Sequence, residues 1–337
     1  MFPFWLLSFA LAVSLLCSYG YLKFARKHGP YATPNFRSLH SKVVPRGGGL
    51  ALAAATVAAC VAAYGAGLLQ WCQLLVYGVG GVVGTLMGAA DDRLDLKARY
   101  RMPFQCLSAA WVCYSFGGLA PLDMGFGFVD WGLAGHVALI VALVWFYNLY
   151  NFIDGIDGMA STATIFICTT MGVVLWMRGQ PALAGVLGIL GFASAGFLVF
   201  NLPPAKMFLG DAGSSLIGYI LSAVVVESLW SGPANLWSWL IVGCCYFADT
   251  TLTMLVRLLK VPGWYRPHRS HAYQNLARVW NSHRRVLLLV MAINFLWLLP
   301  LLVVSLHFAS WAIGLTVLAY IPIAIICLKY GPLYANK

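Results

Sequence analysis

Residues 147–160 read YNLYNFIDGIDGMA. Asn148, Asn151, Asp154 and Asp157 recur at an unbroken spacing of three, directly after an apolar run long enough to cross a bilayer. An ionised Asp at the centre of a spanning helix costs about 2.5–3.5 kcal/mol on insertion scales, so carboxylates beside such a run sit at an aqueous face or bind something. Three residues turn an α-helix by about 300°, so the four side chains drift around half the circumference, whereas on a tighter three-per-turn helix they would line one face. Gly155 and Gly158 argue for irregular backbone. The segment therefore reads as a helix end that opens at the membrane surface, with amides and carboxylates turned toward a polar ligand. The plainer alternative is a helix-terminal loop in which Asn and Asp act only as caps.

Composition sets the context for that stretch. The 337 residues are 61% hydrophobic and 9% charged, against about 25% charged in soluble domains. Removing the apolar runs leaves no soluble domain of useful size, so residues 1–337 read as a single polytopic domain of the all-α integral membrane class. A net charge of +11 would suggest nucleic acid in a soluble chain. Here membrane topology accounts for it, and no nucleic-acid partner is expected. The nine cysteines lie within or beside apolar runs with no CxxC spacing, which fits buried small hydrophobes rather than a zinc or disulfide framework. Residues 1–21 are apolar with no Lys or Arg ahead of them, and Lys23, Arg26 and Lys27 follow. That order is the reverse of a cleavable signal and predicts a retained first span with the N-terminus outside.

Apolar runs of spanning length occur at about 2–22, 47–67, 71–90, 103–120, 132–150, 158–177, 181–200, 214–231, 235–257, 286–306 and 309–329, giving eleven expected spans. With these boundaries all basic residues except Arg178 fall on one side, which predicts a cytoplasmic C-terminus. Asp91, Asp92, Asp95, Asp154, Asp157 and Asp211 map to that same side, Asp123, Asp130 and Glu227 to the other, and Asp249 lies inside the ninth run. A polar site at the cytoplasmic face follows.

Four further stretches carry chemistry. RSLHSKVVPRGGG, residues 37–49, ends in three glycines at a helix start, where backbone N–H groups can approach an anion and Arg46 or Lys42 can add charged hydrogen bonds to phosphate. Asp91 and Asp92 close the third span. Adjacent carboxylates cannot face the same way on a helix, so one is expected to face the site and the other to meet Arg93 or Lys97, with Asp95 on the Asp91 face. NLPPAKMFLGDAGSS, residues 201–215, presents Asp211 just before the eighth span, as an N-cap or as a carboxylate beside free helix N–H groups, and either placement is compatible with its serving a hard cation such as Mg²⁺. The loop after the ninth span interleaves Arg266, His268, Arg269 and His271 with Trp264 and Tyr273, a composition suited to a diphosphate and a stacked base. His268 and His271 alone do not make a metal set, because no Cys or acid completes it in the loop.

DDRLDLK, NLYNFIDGIDG, FLGDAGSS and ADTTLTMLVRLL followed by RPHRSHAYQNL resemble the ordered cytoplasmic motifs of the polyprenyl-phosphate N-acetylhexosamine-1-phosphate transferases. The resemblance spans about 37–276. It implies a fold of about ten or eleven transmembrane helices, a multi-pass position in the bacterial inner membrane, and transfer of a sugar-1-phosphate from a UDP-N-acetyl sugar to undecaprenyl phosphate, with a homodimer as one option. It implies Mg²⁺, or Mn²⁺ in its place, held by Asn151 and Asp211. It also implies Asp91 and Asp92 at the lipid phosphate, and Asp154 and Asp157 on the nucleotide side. Arg46, Lys97, Asn148, Arg266 and Arg269 are implied as substrate-binding residues, with Arg269 and a catalytic His271 at the diphosphate or sugar. Many members carry a longer histidine run in the last loop. The shorter form here is similar to the O-antigen branch that uses N-acetylated 6-deoxy sugars. A transporter of an anionic sugar conjugate is the rival from another class, but it would place ionisable groups near the bilayer midplane, and only Asp249 is there. A glycosyltransferase with a lipid-linked donor would carry its acids on the outer face.

Overall fold

The computed structural model describes residues 3–32, 43–230, 235–263 and 268–334. Its helices are α1 (Phe4–His28), α2 (Gly49–Gly65), α3 (Trp71–Leu94), α4 (Ala98–Phe116), α5 (Gly132–Ile153), α6 (Met159–Met177), α7 (Pro181–Asn201), α8 (Gly210–Trp230), α9 (Leu236–Val242), α10 (Cys244–Lys260), α11 (Ala272–Val279), α12 (His283–His307) and α13 (Ala309–Tyr330). Residues 74–80 of α3 are wound as a π-helix. Two short antiparallel hairpins, β1 (Tyr31–Ala32) with β2 (Val44–Pro45) and β3 (Leu122–Asp123) with β4 (Phe128–Val129), lie in connections.

All eleven expected runs are helical, but they are not equal as spans. Helices α1, α3, α5, α6, α7, α8, α12 and α13 are long and apolar enough to cross a membrane. The expected ninth span is broken: α9 and α10 meet at 83°, with Gly243 between them, and count as one further span only if taken together. Helix α2 is apolar but only 17 residues long. Helix α4 begins at Ala98 rather than 103 and carries Arg99, Arg101 and Gln105 in its first turns, which lowers its hydropathy below that of a spanning helix.

The bundle is organised around α8, 78% of whose apolar window is buried, against 28% for α1 and for α13. It packs against α3, α5, α2, α4 and α7. Without water to drive helix association inside a bilayer, close backbone approach contributes much of the attraction, and small residues permit it. Gly88 of α3 and Gly49 of α2 are the clearest cases. A Cβ on Gly88 would meet the Asp211 carbonyl oxygen at 2.1 Å, and one on Gly49 would meet Gly213 N at 2.1 Å. Both contacts fall at the first turn of α8, and they bring the ends of three helices to one place.

Candidate active site

The end of α3 reaches the start of α8 through a carboxylate. Asp92 Oδ1 accepts the Asp211 N–H at 3.0 Å and Oδ2 accepts the Ala212 N–H at 3.1 Å. The first N–H groups of a helix have no partner within it, so Asp92 caps α8 from another helix. Asp211 is therefore not its own helix's cap, one of the two roles its sequence position allowed. Arg46 closes the arrangement, with Nε 2.7 Å from Asp92 Oδ1 and Nη2 3.3 Å from Asp211 Oδ1. Asn151, in the last turn of α5, donates from Nδ2 to Asp211 Oδ1 at 2.6 Å.

Arg46 is placed by backbone pairing. Phe208 N donates to Pro45 O at 2.9 Å, and Gly48 N and Gly49 N donate to Phe208 O and Leu209 O at 2.9 and 2.8 Å. The expectation that the glycines present free N–H groups to an anion is thereby corrected for Gly48 and Gly49, which serve strand-like pairing and helix contact instead. Lys42 and the rest of residues 33–42 lie outside the described residues.

Asp91 points away from Asp92, as adjacent helical positions must. Its Oδ1 accepts the Leu96 N–H at 2.8 Å and its Oδ2 pairs with Arg101. The expected partners Arg93 and Lys97 are exposed and form no ion pair with it, and Asp95 ends the helix in a left-handed conformation with φ of 47°. Asp91 and Arg101 open onto a cleft between α3, α4, α5 and α8, which Gln105, Tyr147, Asn148 and Asn151 also line. Asn148 donates to Gln105 Oε1 and to Val144 O, both at 2.8 Å, so its amide is held at the wall. Arg101 is the site residue that sequence reasoning does not single out. The only signal is its charge, and membrane topology already accounts for basic residues in that loop.

Asp154 caps α5 in the turn that follows it. Burial raises its pKa well above the ordinary carboxylate value, and the Asp211 charge raises it further while Arg46 opposes. Burial disfavours the charge of Arg46, but Asp92 and Asp211 outweigh it and hold the guanidinium more firmly protonated. Asp157 is different. Its Oδ2 accepts the Ala205 N–H at 3.0 Å and lies 3.3 Å from His283 Nδ1. The side chain thus ties the α5–α6 turn to the α7–α8 connection and to α12. Asn201 does similar work: Oδ1 accepts the Gly158 N–H and Nδ2 donates to Met207 O, each at 2.9 Å.

The last loop repeats the capping device. Asp249 of α10 accepts the N–H groups of Ala272 and Tyr273 at 2.9 and 3.0 Å, capping α11 across space, and lies 3.8 Å from His271 Nδ1. An acid does therefore come beside the histidines, contrary to the loop sequence read alone. Both of its oxygens are engaged, and among the described residues no group of three or more His, Cys, Asp or Glu is set to hold a metal. His271 is buried, with its ring 5.8 Å from that of Phe152, and Tyr273 donates to Phe152 O at 2.7 Å, so the loop is fastened beside Asn151. Arg269 is half-buried, and its carbonyl accepts from Arg278 at 3.1 Å. Arg266 and Trp264 lie outside the described residues, and Lys97 is exposed at the start of α4.

The donor set suits a hard divalent cation. Asp154 and Asp211 are carboxylates, the charge of Asp211 being close enough to raise the proton affinity of Asp154, Asn151 adds an amide, and no thiol is present among them. Mg²⁺ commonly takes one or two protein oxygens and fills its remaining positions with water and substrate phosphate.

Carboxylates, amides and guanidinium groups thus gather where helix ends meet in a multi-helix membrane protein. The pattern of the family described as Glycosyl transferase family 4 matches residues 74–229. A probable undecaprenyl-phosphate N-acetylglucosaminyl 1-phosphate transferase of Bacillus subtilis is 28% identical, covering 84% of this chain and 79% of its own length. The undecaprenyl-phosphate alpha-N-acetylglucosaminyl 1-phosphate transferase of Escherichia coli K12 is 27% identical, covering 80% and 74%. A decaprenyl-phosphate N-acetylglucosaminephosphotransferase of Mycobacterium leprae is 30% identical, covering 79% and 73%. The chain belongs to the polyprenyl-phosphate N-acetylhexosamine-1-phosphate transferase family.

Proposed function

We propose that this protein transfers an N-acetylated sugar-1-phosphate from a UDP-sugar to a polyprenyl phosphate, undecaprenyl phosphate in the bacterial inner membrane. A lipid-phosphate oxygen attacks the β-phosphorus, a new P–O bond forms, and the bond to the UMP oxygen breaks. Polyprenyl-diphospho-sugar and UMP result. The observation that carries this reading is the meeting of Asp92, Asp154, Asp211, Asn151 and Arg46 at helix ends, beside a cleft whose mouth holds the Asp91–Arg101 pair. It favours this reading over transport, because the charges lie at helix ends.

Phosphoryl transfer needs in-line positioning and charge neutralisation more than covalent chemistry. Asn151 and Asp211 would hold Mg²⁺, or Mn²⁺ in its place, with Asp154 alongside; when bound, the cation would neutralise charge on the diphosphate. Arg46 and Arg269 are assigned to the diphosphate. Asp92 positions Arg46 and the start of α8, and Asp91 sets Arg101 toward the lipid phosphate. Neither acid is assigned as an obligatory base, since a phosphate monoester with a second pKa of about 6 is largely dianionic at neutral pH.

We further propose a cytoplasmic site, eleven crossings that count the shorter α2, the more polar α4 and the bent α9–α10 pair beside the eight long apolar helices, with the N-terminus outside, and a place at the start of O-antigen or another cell-surface polysaccharide. A UDP-N-acetyl-6-deoxyhexose is the proposed donor, on the strength of His268 and His271 standing in place of a longer histidine run. Release of UMP from purified protein, with undecaprenyl phosphate and a panel of UDP-sugars, tests both levels. The 6-deoxy donor should lead by roughly 10- to 200-fold, the range one apolar contact provides. UDP-GlcNAc as best donor removes the 6-deoxy preference alone, and no UMP from any donor removes the transferase reading.

A further inference from the structure

At the opposite end of the bundle from the carboxylate cluster, a second, partly open cavity lies between the β3–β4 hairpin, the end of α6, the start of α9 and the end of α12. It is lined by one cation and one anion, Arg178 and Asp123, with Asn235, Trp237, Ser238 and Ser305 among the polar walls. These two charges do not pair with each other: among the described residues every ion pair lies elsewhere. Arg178 gives one hydrogen bond, from Nη2 to Leu306 O at 3.1 Å, and Asp123 takes one, from Gly125 N to Oδ1 at 2.9 Å. A guanidinium carries five N–H donors and a carboxylate about four lone-pair sites, so both retain most of their capacity. Ser305 Oγ is buried, at 1% exposure, with no hydrogen-bond partner among the described residues.

The position of Asp123 is itself fixed, because the Trp237 indole N–H donates to its carbonyl at 2.7 Å. Phe128 lines the cavity and is exposed, and Phe126, Trp131, Phe308 and Trp311, close in the chain to its lining residues, are exposed as well. Large aromatics at the end of a spanning bundle mark the level of the lipid headgroups. A ligand reaching this cavity can therefore come from the bilayer.

We propose that this cavity binds the headgroup of a zwitterionic phospholipid bearing a primary ammonium, a phosphoethanolamine lipid, with its phosphate at Arg178 and its ammonium at Asp123. A headgroup with both charges satisfies both walls at once. An anionic headgroup would meet Arg178 favourably but be repelled by Asp123. A quaternary ammonium would reach Asp123 without N–H groups to donate. The site lies away from the transferase centre and does not depend on it.

Native mass spectrometry of the intact protein in detergent, with short-chain phosphatidylethanolamine, phosphatidylcholine and phosphatidylglycerol at equal concentrations, tests the assignment. Soluble phosphoethanolamine forms a fourth arm. Phosphatidylethanolamine adducts should exceed the other two lipids by roughly fivefold, the scale of one partly exposed ion pair. Arg178→Gln should remove that excess. Asp123→Asn should remove it and raise phosphatidylglycerol binding, while both variants keep the parental rate of UMP release, which also shows that they fold. Equal binding of the three lipids, or an unchanged preference in both variants, overturns the proposal. Soluble phosphoethanolamine binding as well as its lipid overturns the bilayer as the source.

Discussion

Asp92 Oδ1 accepts the backbone N–H of Asp211 at 3.0 Å, joining the end of one spanning helix to the start of another. Its other oxygen takes the next N–H, and Arg46 lies 2.7 Å from Oδ1. A carboxylate so engaged positions its neighbours and is poorly placed to remove a proton. Asp92→Asn keeps one acceptor oxygen and should retain a rate within roughly 10- to 100-fold of the parent. Asp92→Ala should lose more, and about 1–2 kcal/mol of stability with the cap. Rates and melting curves for the two variants check this; an Asn variant as inactive as the Ala variant, with melting unchanged in both, speaks for base catalysis.

Asp211→Asn leaves shape and packing intact while removing the charge that Arg46 and the proposed cation both meet. It should lower kcat by roughly 100-fold or more without altering membrane insertion. Titrating Mg²⁺ against rate decides the point, since a parental rate at saturating Mg²⁺ would release Asp211 from the metal assignment.

The raised pKa of Asp154 gives pH a definite direction. Its native form holds a proton that the unfolded chain releases at the ordinary carboxylate value, so the metal-free protein should lose stability as pH rises from that value through the raised one. A cation on this carboxylate competes with that proton, so the apparent Mg²⁺ affinity should tighten over the same window and Mg²⁺ should restore the lost stability. Thermal unfolding with and without Mg²⁺, at several pH values, measures both effects; a Mg²⁺ affinity flat with pH would contradict them.

Gly49→Ala should destabilise by roughly 1–3 kcal/mol, because the new methyl group would lie 2.1 Å from Gly213 N, where backbone must move. Gly65, at the other end of the same helix, has open space out to 4 Å around the position a methyl group would take, and Gly65→Ala provides the control. Equal melting of the two Ala variants would show that α2 and α8 do not approach this closely.

Asn151, Asp154 and Asp211 are legible in the sequence because oxygen-bearing side chains beside apolar runs have few inexpensive explanations. The helical character of every apolar run is legible because a backbone crossing lipid must satisfy its own N–H and C=O groups. Arg101 is not, since the positive-inside rule accounts for basic residues on that side whether or not they touch a site. Nor is the Asp92 cap, which joins residues 119 apart in the chain. Asp157 shares its spacing with Asp154, yet it is turned to Ala205 and His283 by the loop beyond Asn201, a tertiary contact that no local periodicity encodes. The three glycines at residues 47–49 suit anion binding and close helix packing equally well, and only the position of residues 208–213 separates the two.

The fate of the β-phosphorus tests the central claim most directly. Purified protein given undecaprenyl phosphate, Mg²⁺ and UDP-GlcNAc labelled at the β-phosphate should move the label into the lipid fraction and release unlabelled UMP. Label remaining in the aqueous phase as UDP, with sugar on the lipid, would mean that the sugar moves without its phosphate and would contradict the phosphotransferase reading.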